Sequence, residues 1–166
     1  MKHLILILGL LIFSATIQAV ENQTDKQLMT GQQMLPYAAE QTVQTFSKTV
    51  HGGVLHIVAK AADNATQIKL IQAYLLKLAA QFRNGDFSMT EALHGSRMPG
   101  LAQLKTAKPD EIKFEYHALA NGGQIHFSTE YPQFVGALHE WIDAQNTEHG
   151  NAVIPGHSQH HGSITQ

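Results

Sequence analysis

HGGVLHIVAK at residues 51–60 returns seventy positions later as NGGQIHFSTE at residues 121–130. Two glycines, a Leu/Ile and a histidine keep their places, and each copy ends on a charged residue, Lys60 or Glu130. Runs of β-branched and aromatic residues flank both glycine pairs: TFSKTV and VLHIVAK around the first, IKFEYHAL and QIHFSTE around the second. That pattern predicts two β-hairpins.

Each hairpin is followed by a helical pattern. Asp63 and Asn64 supply caps for TQIKLIQAYLLKLAAQF, in which Ile68, Ile71, Leu75 and Leu78 recur at helical spacing, and Asn84-Gly85 supplies the stop. In the second copy Pro132 opens QFVGALHEWIDAQNTEHG, with Val135, Leu138, Trp141 and Ile142 directed inward and Gly150 at its end. An isolated hairpin is marginal in water. The expectation is therefore one α+β domain: tandem ββα units forming a four-stranded antiparallel sheet with two helices on one face. Residues 86–110 become a linker with one or two helical turns and a bend at Met98-Pro99-Gly100.

The ends read differently. MKHLILILGLLIFSATIQA, residues 1–19, has one lysine, an apolar run from Leu4 to Phe13 and a small-residue stretch, the pattern of a secretory signal peptide. Its run is short of the roughly 20 residues a membrane span needs. Residues 20–44 are a Gln/Thr-rich flexible lead-in, with a short helical turn expected around residues 35–40, ahead of a domain at 45–150. Residues 151–166 form a His-containing flexible tail. Cleavage after Ala19 leaves 166 − 19 = 147 residues and takes the formal charge from −2 to −3 by removing Lys2. So small a charge argues against a nucleic-acid partner, and once the signal is removed no membrane association is expected. The expected location is periplasmic or secreted.

There are no cysteines, which removes disulfides, thiolate metal sites, covalently attached c-type haem and thiol nucleophiles. Eleven histidines against two arginines tilt the chemistry toward imidazole, the commonest metal ligand. With Asn121-Gly122 as the centre of a type I′ turn, His117 stands directly opposite His126, and the same register sets His56 opposite Ser47. Opposed Cβ atoms lie about 5 Å apart, within reach of one shared ion. Alternation sends Phe114, Tyr116, Ile125 and Phe127 toward the helices, and His56, His117 and His126 to the uncovered face. Those three form the first candidate metal site.

Further candidates follow. His94 and Met98, four apart, offer imidazole plus thioether on one side of a helical turn, a donor set suited to copper. On the last helix His139 precedes Asp143 by one turn, and His149 sits beside the helix stop. His157, His160 and His161 lie in the tail, where such tracts gather divalent metals. No GxSxG, HExxH, Walker loop or GxGxxG occurs, so an enzyme reading has little to stand on.

The segments KTVHGGVLHIVAK, FRNGDFS, ALHGSRMPGL and ALHEWIDAQNTEHG resemble a family of small exported bacterial proteins of unsettled function, whose members often carry an aspartate carbamoyltransferase label. The resemblance covers about Phe46 to Gly150 and places His51, His94, Met98, His139 and His149 in its most recognisable segments. The labelled activity does not transfer, because that enzyme resembles a chain about twice this length with an STRT-type loop. The expected function is a periplasmic transition-metal-binding protein, with copper or another divalent transition metal as its ion. The alternatives are a protein-interaction or dimerisation module using the open sheet face, where Val54 and Val58 stand, and more distantly a small enzyme or haem binder using His139 or His149.

Overall fold

The structure, a computed structural model, describes residues 34–149. The expected signal peptide at residues 1–19 and the segment with His157, His160 and His161 lie outside the described residues. Strands β1 (Thr42–Thr49) and β2 (Gly52–Ala59) make the first hairpin, and β3 (Lys113–Leu119) and β4 (Gly122–Ser128) the second. Helix α1 (Ala65–Arg83) follows the first hairpin and α4 (Pro132–His149) the second, with α2 (Ser88–His94) and α3 (Leu101–Leu104) in the linker. All strand pairs are antiparallel, in the order β1-β2-β4-β3. The α+β architecture is thus the one the repeat predicts.

The two copies meet along β2 and β4, where Leu55 pairs with Ile125. These residues are also equivalent in the repeat, so an approximate two-fold axis passes beside that pair. The helices cross over: α1 packs on β3 and β4, whereas α4 packs on β1 and β2. Each hairpin therefore has its apolar face covered by the other copy's helix. Ile71, Leu75, Leu138 and Ile142 are fully buried against Leu55, Ile57, Ile125 and Phe127, and neither unit can complete this core alone.

The local signals work as read. Asn64 caps α1 by accepting from the Gln67 amide at 3.2 Å, and Gly85 follows the helix with φ +70°. The fold begins earlier than expected, however. Tyr37 is in the core, a 3-10 turn spans Ala39–Gln41 and β1 starts at Thr42. The buried Gln67 amide grips the Ala38 backbone twice, accepting at 3.3 Å and donating at 3.1 Å. Residues 34–44 thus belong to the domain.

The turns also differ from expectation. The two-residue loops are Val50-His51 and Ala120-Asn121, closed by the pairs Thr49↔Gly52 and Leu119↔Gly122. None of the four loop residues has positive φ, so neither loop is the type I′ turn that Asn-Gly favours. The glycine is required one position later by crowding. A Cβ on Gly122 would lie 2.2 Å from the Ile57 carbonyl oxygen, and one on Gly52 would lie 2.3 Å from that of Phe127. Ile57 and Phe127 are equivalent in the repeat, so both glycines answer the same close approach of β2 and β4.

Candidate functional site: the histidine face and an asymmetric cavity

Shifting the turn moves the register by two, which preserves the face and changes the partners. His117 stands opposite Gln124, and His126 opposite Glu115. His56 stands opposite Thr45 on β1, not Ser47, and opposite Gln124 on β4. On the face away from the helices two rows therefore cross the sheet: Thr45, His56, Gln124, His117 and, beside it, Ser47, Val54, His126, Glu115. The expected direct pairing of His117 with His126 becomes a diagonal one, still within reach of long side chains. Their ring centroids lie 4.9 Å apart at an interplanar angle of 62°.

His117 is exposed and His126 half-buried. Burial, and secondarily the charge of His117, hold the His126 pKa below the usual imidazole value of 6.5, with Glu115 acting in the opposite direction. His56 shares the face but is only 8 % exposed, and Val58 only 4 %. The expectation of Val58 as an exposed apolar residue is therefore corrected. Among the described residues no three His, Asp or Glu side chains are grouped so as to hold a metal ion. His56 does not close a three-ligand set with the other two.

The remaining candidates are dispersed. Gly95, with φ +87°, ends α2 directly after His94, so His94 and Met98 do not share a helical turn. His94 Nδ1 lies 2.5 Å from Glu148 Oε2 and ties α2 to α4. Met98 is a buried core residue whose sulfur accepts from Gln145 Nε2 at 3.3 Å. His139 does not use Asp143: its Nε2 donates to the Thr49 carbonyl at 2.9 Å, while Asp143 pairs with Lys48 Nζ at 2.7 Å. His149 is the last residue of α4.

Sequence reasoning missed a second feature, a cavity of about 50 Å³ over the first hairpin. Its floor is Gln44, Phe46, Leu55 and Ile57, and its walls come from α1, α2 and α4. Trp141 and Gln145, both buried, reach it from α4. Among the described residues the Trp141 indole N–H meets no acceptor, and neither does the hydroxyl of Tyr37, a buried ring that packs edge-on against the lining residue Tyr74 at 5.3 Å. Burial pushes the Tyr74 hydroxyl up to about 12 and raises that of Tyr37 as well, so both remain protonated donors near neutral pH. The available signal was polar residues, Gln44 and Gln145, at inward positions of an otherwise apolar pattern.

No family model, curated protein or solved structure matches the chain. Among the described residues no helix is long and apolar enough to cross a membrane.

Proposed function

We propose that this is an exported transition-metal-binding protein, with copper its preferred ion and His117 and His126 the imidazole pair that holds it. One observation carries the reading: the 4.9 Å separation of the two rings. For metal–nitrogen bonds of about 2.0–2.1 Å, each centroid lies roughly 3.1 Å from the ion, and rings subtending a near-tetrahedral angle have centroids about 5 Å apart. The diagonal pair meets that spacing without backbone movement. Glu115, in register with His126, supplies a third donor by a change of rotamer, and water completes the shell. Only neutral imidazole ligates, and the burial and neighbouring charge that depress the His126 pKa keep it neutral into mildly acidic conditions. A nitrogen and oxygen donor set without thiolate takes Cu(II) ahead of Zn(II).

The test separates the fold from the tail. His157, His160 and His161 are changed together to Gln, and the protein is titrated calorimetrically with Cu(II) and Zn(II). The expected result is one retained site, stronger for Cu(II), that His117→Gln or His126→Gln removes. Loss of all binding in the tail variant would leave only a His-rich tract, and full retention in His117→Gln would end the role of the pair.

A further inference from the structure

A second cavity, of about 270 Å³, lies where the last turn of α1, the start of α2, the linker and β3 meet. Arg83, Asn84, Lys108 and Asp110 are its polar lining. All four are exposed, so a solute can reach their side chains. Arg83 Nη1 donates to the Phe114 carbonyl at 3.1 Å, which fixes the guanidinium beside β3 and leaves its other N–H groups available. Among the described residues Arg83, Lys108 and Asp110 join no ion pair. The neighbouring carboxylates do not neutralise the two cations: Asp86 accepts from the Ser88 amide at 2.9 Å and Glu111 from the Lys108 amide at 2.8 Å, and neither lines the cavity.

Lys108 and Asp110 flank Pro109 in a turn closed by the Glu111 amide on the Lys108 carbonyl at 3.1 Å. Asp110, with φ +68°, is the one non-glycine residue of positive φ among the described residues. It follows the proline at a position where such a turn favours glycine or asparagine. Forming the turn does not call for a carboxylate, and glycine would relieve the strain. Half-buried Ala107 and exposed Pro109 give the cavity a reachable apolar wall, over buried Phe87 and Ile112.

We infer that this cavity binds a small α-amino acid with an apolar side chain: its carboxylate is held by Arg83 and Lys108, its ammonium by Asp110, and its side chain lies against Ala107 and Pro109. The lining offers two positive groups and one negative. An uncharged solute leaves all three unmatched, and a simple cation meets two like charges. Asn84 adds a neutral amide that can accept from the ammonium or donate to the carboxylate. The volume is close to the lower end of small-molecule pockets, roughly 300 Å³, which suits a solute of amino-acid size. The inference is independent of the metal site, because no lining residue belongs to the histidine face.

Gly85 lines the cavity, and glycine amides resonate apart from most others in a proton–nitrogen correlation spectrum, so its signal reports binding. Titration of the full-length protein with L-leucine should move that signal saturably. 4-Methylpentanoate, which is leucine without the ammonium, should bind roughly tenfold more weakly, the effect of one charged hydrogen bond. 3-Methylbutylamine, which lacks the carboxylate, should leave the signal in place. Asp110→Asn keeps a residue that tolerates positive φ, so it should fold as before, bind leucine roughly tenfold more weakly and bind 4-methylpentanoate no more weakly. Lys108→Gln should weaken both acids by a similar factor. A Gly85 signal unmoved by millimolar L-leucine would overturn the inference, and so would a response to 3-methylbutylamine as strong as that to leucine. Unchanged leucine affinity in Asp110→Asn would remove the ammonium contact, and unchanged affinity for both acids in Lys108→Gln would remove the carboxylate contact.

Discussion

Replacing Gly122 by alanine should cost about 2–3 kcal/mol, and the estimate follows from the β2–β4 contact. The new Cβ would sit 2.2 Å from the Ile57 carbonyl oxygen and 2.8 Å from the Val58 Cα. Both are backbone atoms of the neighbouring central strand, so no side chain can rotate away. Relief requires β4 to move off β2 by roughly 1 Å, which weakens one or two ladder hydrogen bonds at about 1 kcal/mol each, and overpacking adds about 1–3 kcal/mol. Against this, alanine restricts the unfolded chain and returns about 0.4–1 kcal/mol. Urea unfolding followed by the fluorescence of the buried Trp141 measures the difference. A Gly122→Ala protein within about 0.5 kcal/mol of wild type would refute the reasoning, because the glycine would then be dispensable at the strand contact.

Gly136 makes the complementary case: it is exposed in the interior of α4 and, among the described residues, a Cβ there would meet nothing within 4 Å, so Gly136→Ala should stabilise by about 0.5–1 kcal/mol in the same assay. His126 should titrate below 6.5 by NMR, rising part of the way back in His117→Gln and falling further in Glu115→Gln. Because its folded pKa is depressed, its contribution to stability is complete above about pH 6.5 and declines as the pH falls toward the folded midpoint. The Lys48–Asp143 pair is exposed on both sides, so Asp143→Asn should cost under about 1 kcal/mol, with most of that lost at high salt.

Much of the fold was legible because its determinants are local. Asn64 and Gly85 bound α1, Pro132 opens α4, and alternation assigned the faces of β3 and β4. Faces survive an error that partners do not: a register shift of two leaves every side chain on its own side, which is why His117 and His126 still meet. The turn was misjudged because the sequence shows a glycine without showing its reason. Asn121-Gly122 reads as a turn that needs positive φ, whereas Gly122 is there for the Ile57 carbonyl, a contact 65 positions away. Tyr37 was lost to the lead-in for a similar reason, since Gln67 holds Ala38 at long range. Composition alone cannot register that.

The site was less legible because its parts come from different elements. His94 is paired by Glu148, 54 positions on, and His139 by a backbone carbonyl on β1, so the helical spacings to Met98 and Asp143 misled. What the repeat shares belongs to folding: the crowded glycines, the Leu55–Ile125 axis and the helix-facing residues. What it does not share sits on both sides of the sheet. On the face away from the helices Glu115 and His117 of β3 correspond to Thr45 and Ser47 of β1, so a carboxylate and an imidazole flank His126 where two hydroxyls flank His56. On the covered face the Phe114–Phe127 pair corresponds to Gln44 and Ile57, so the first hairpin bears the cavity and the second the filled core. An approximate two-fold axis relates the halves, and each departure from it has left a distinct feature on one copy, a diagonal imidazole pair over the second hairpin and a cavity floored by Gln44 and Ile57 over the first.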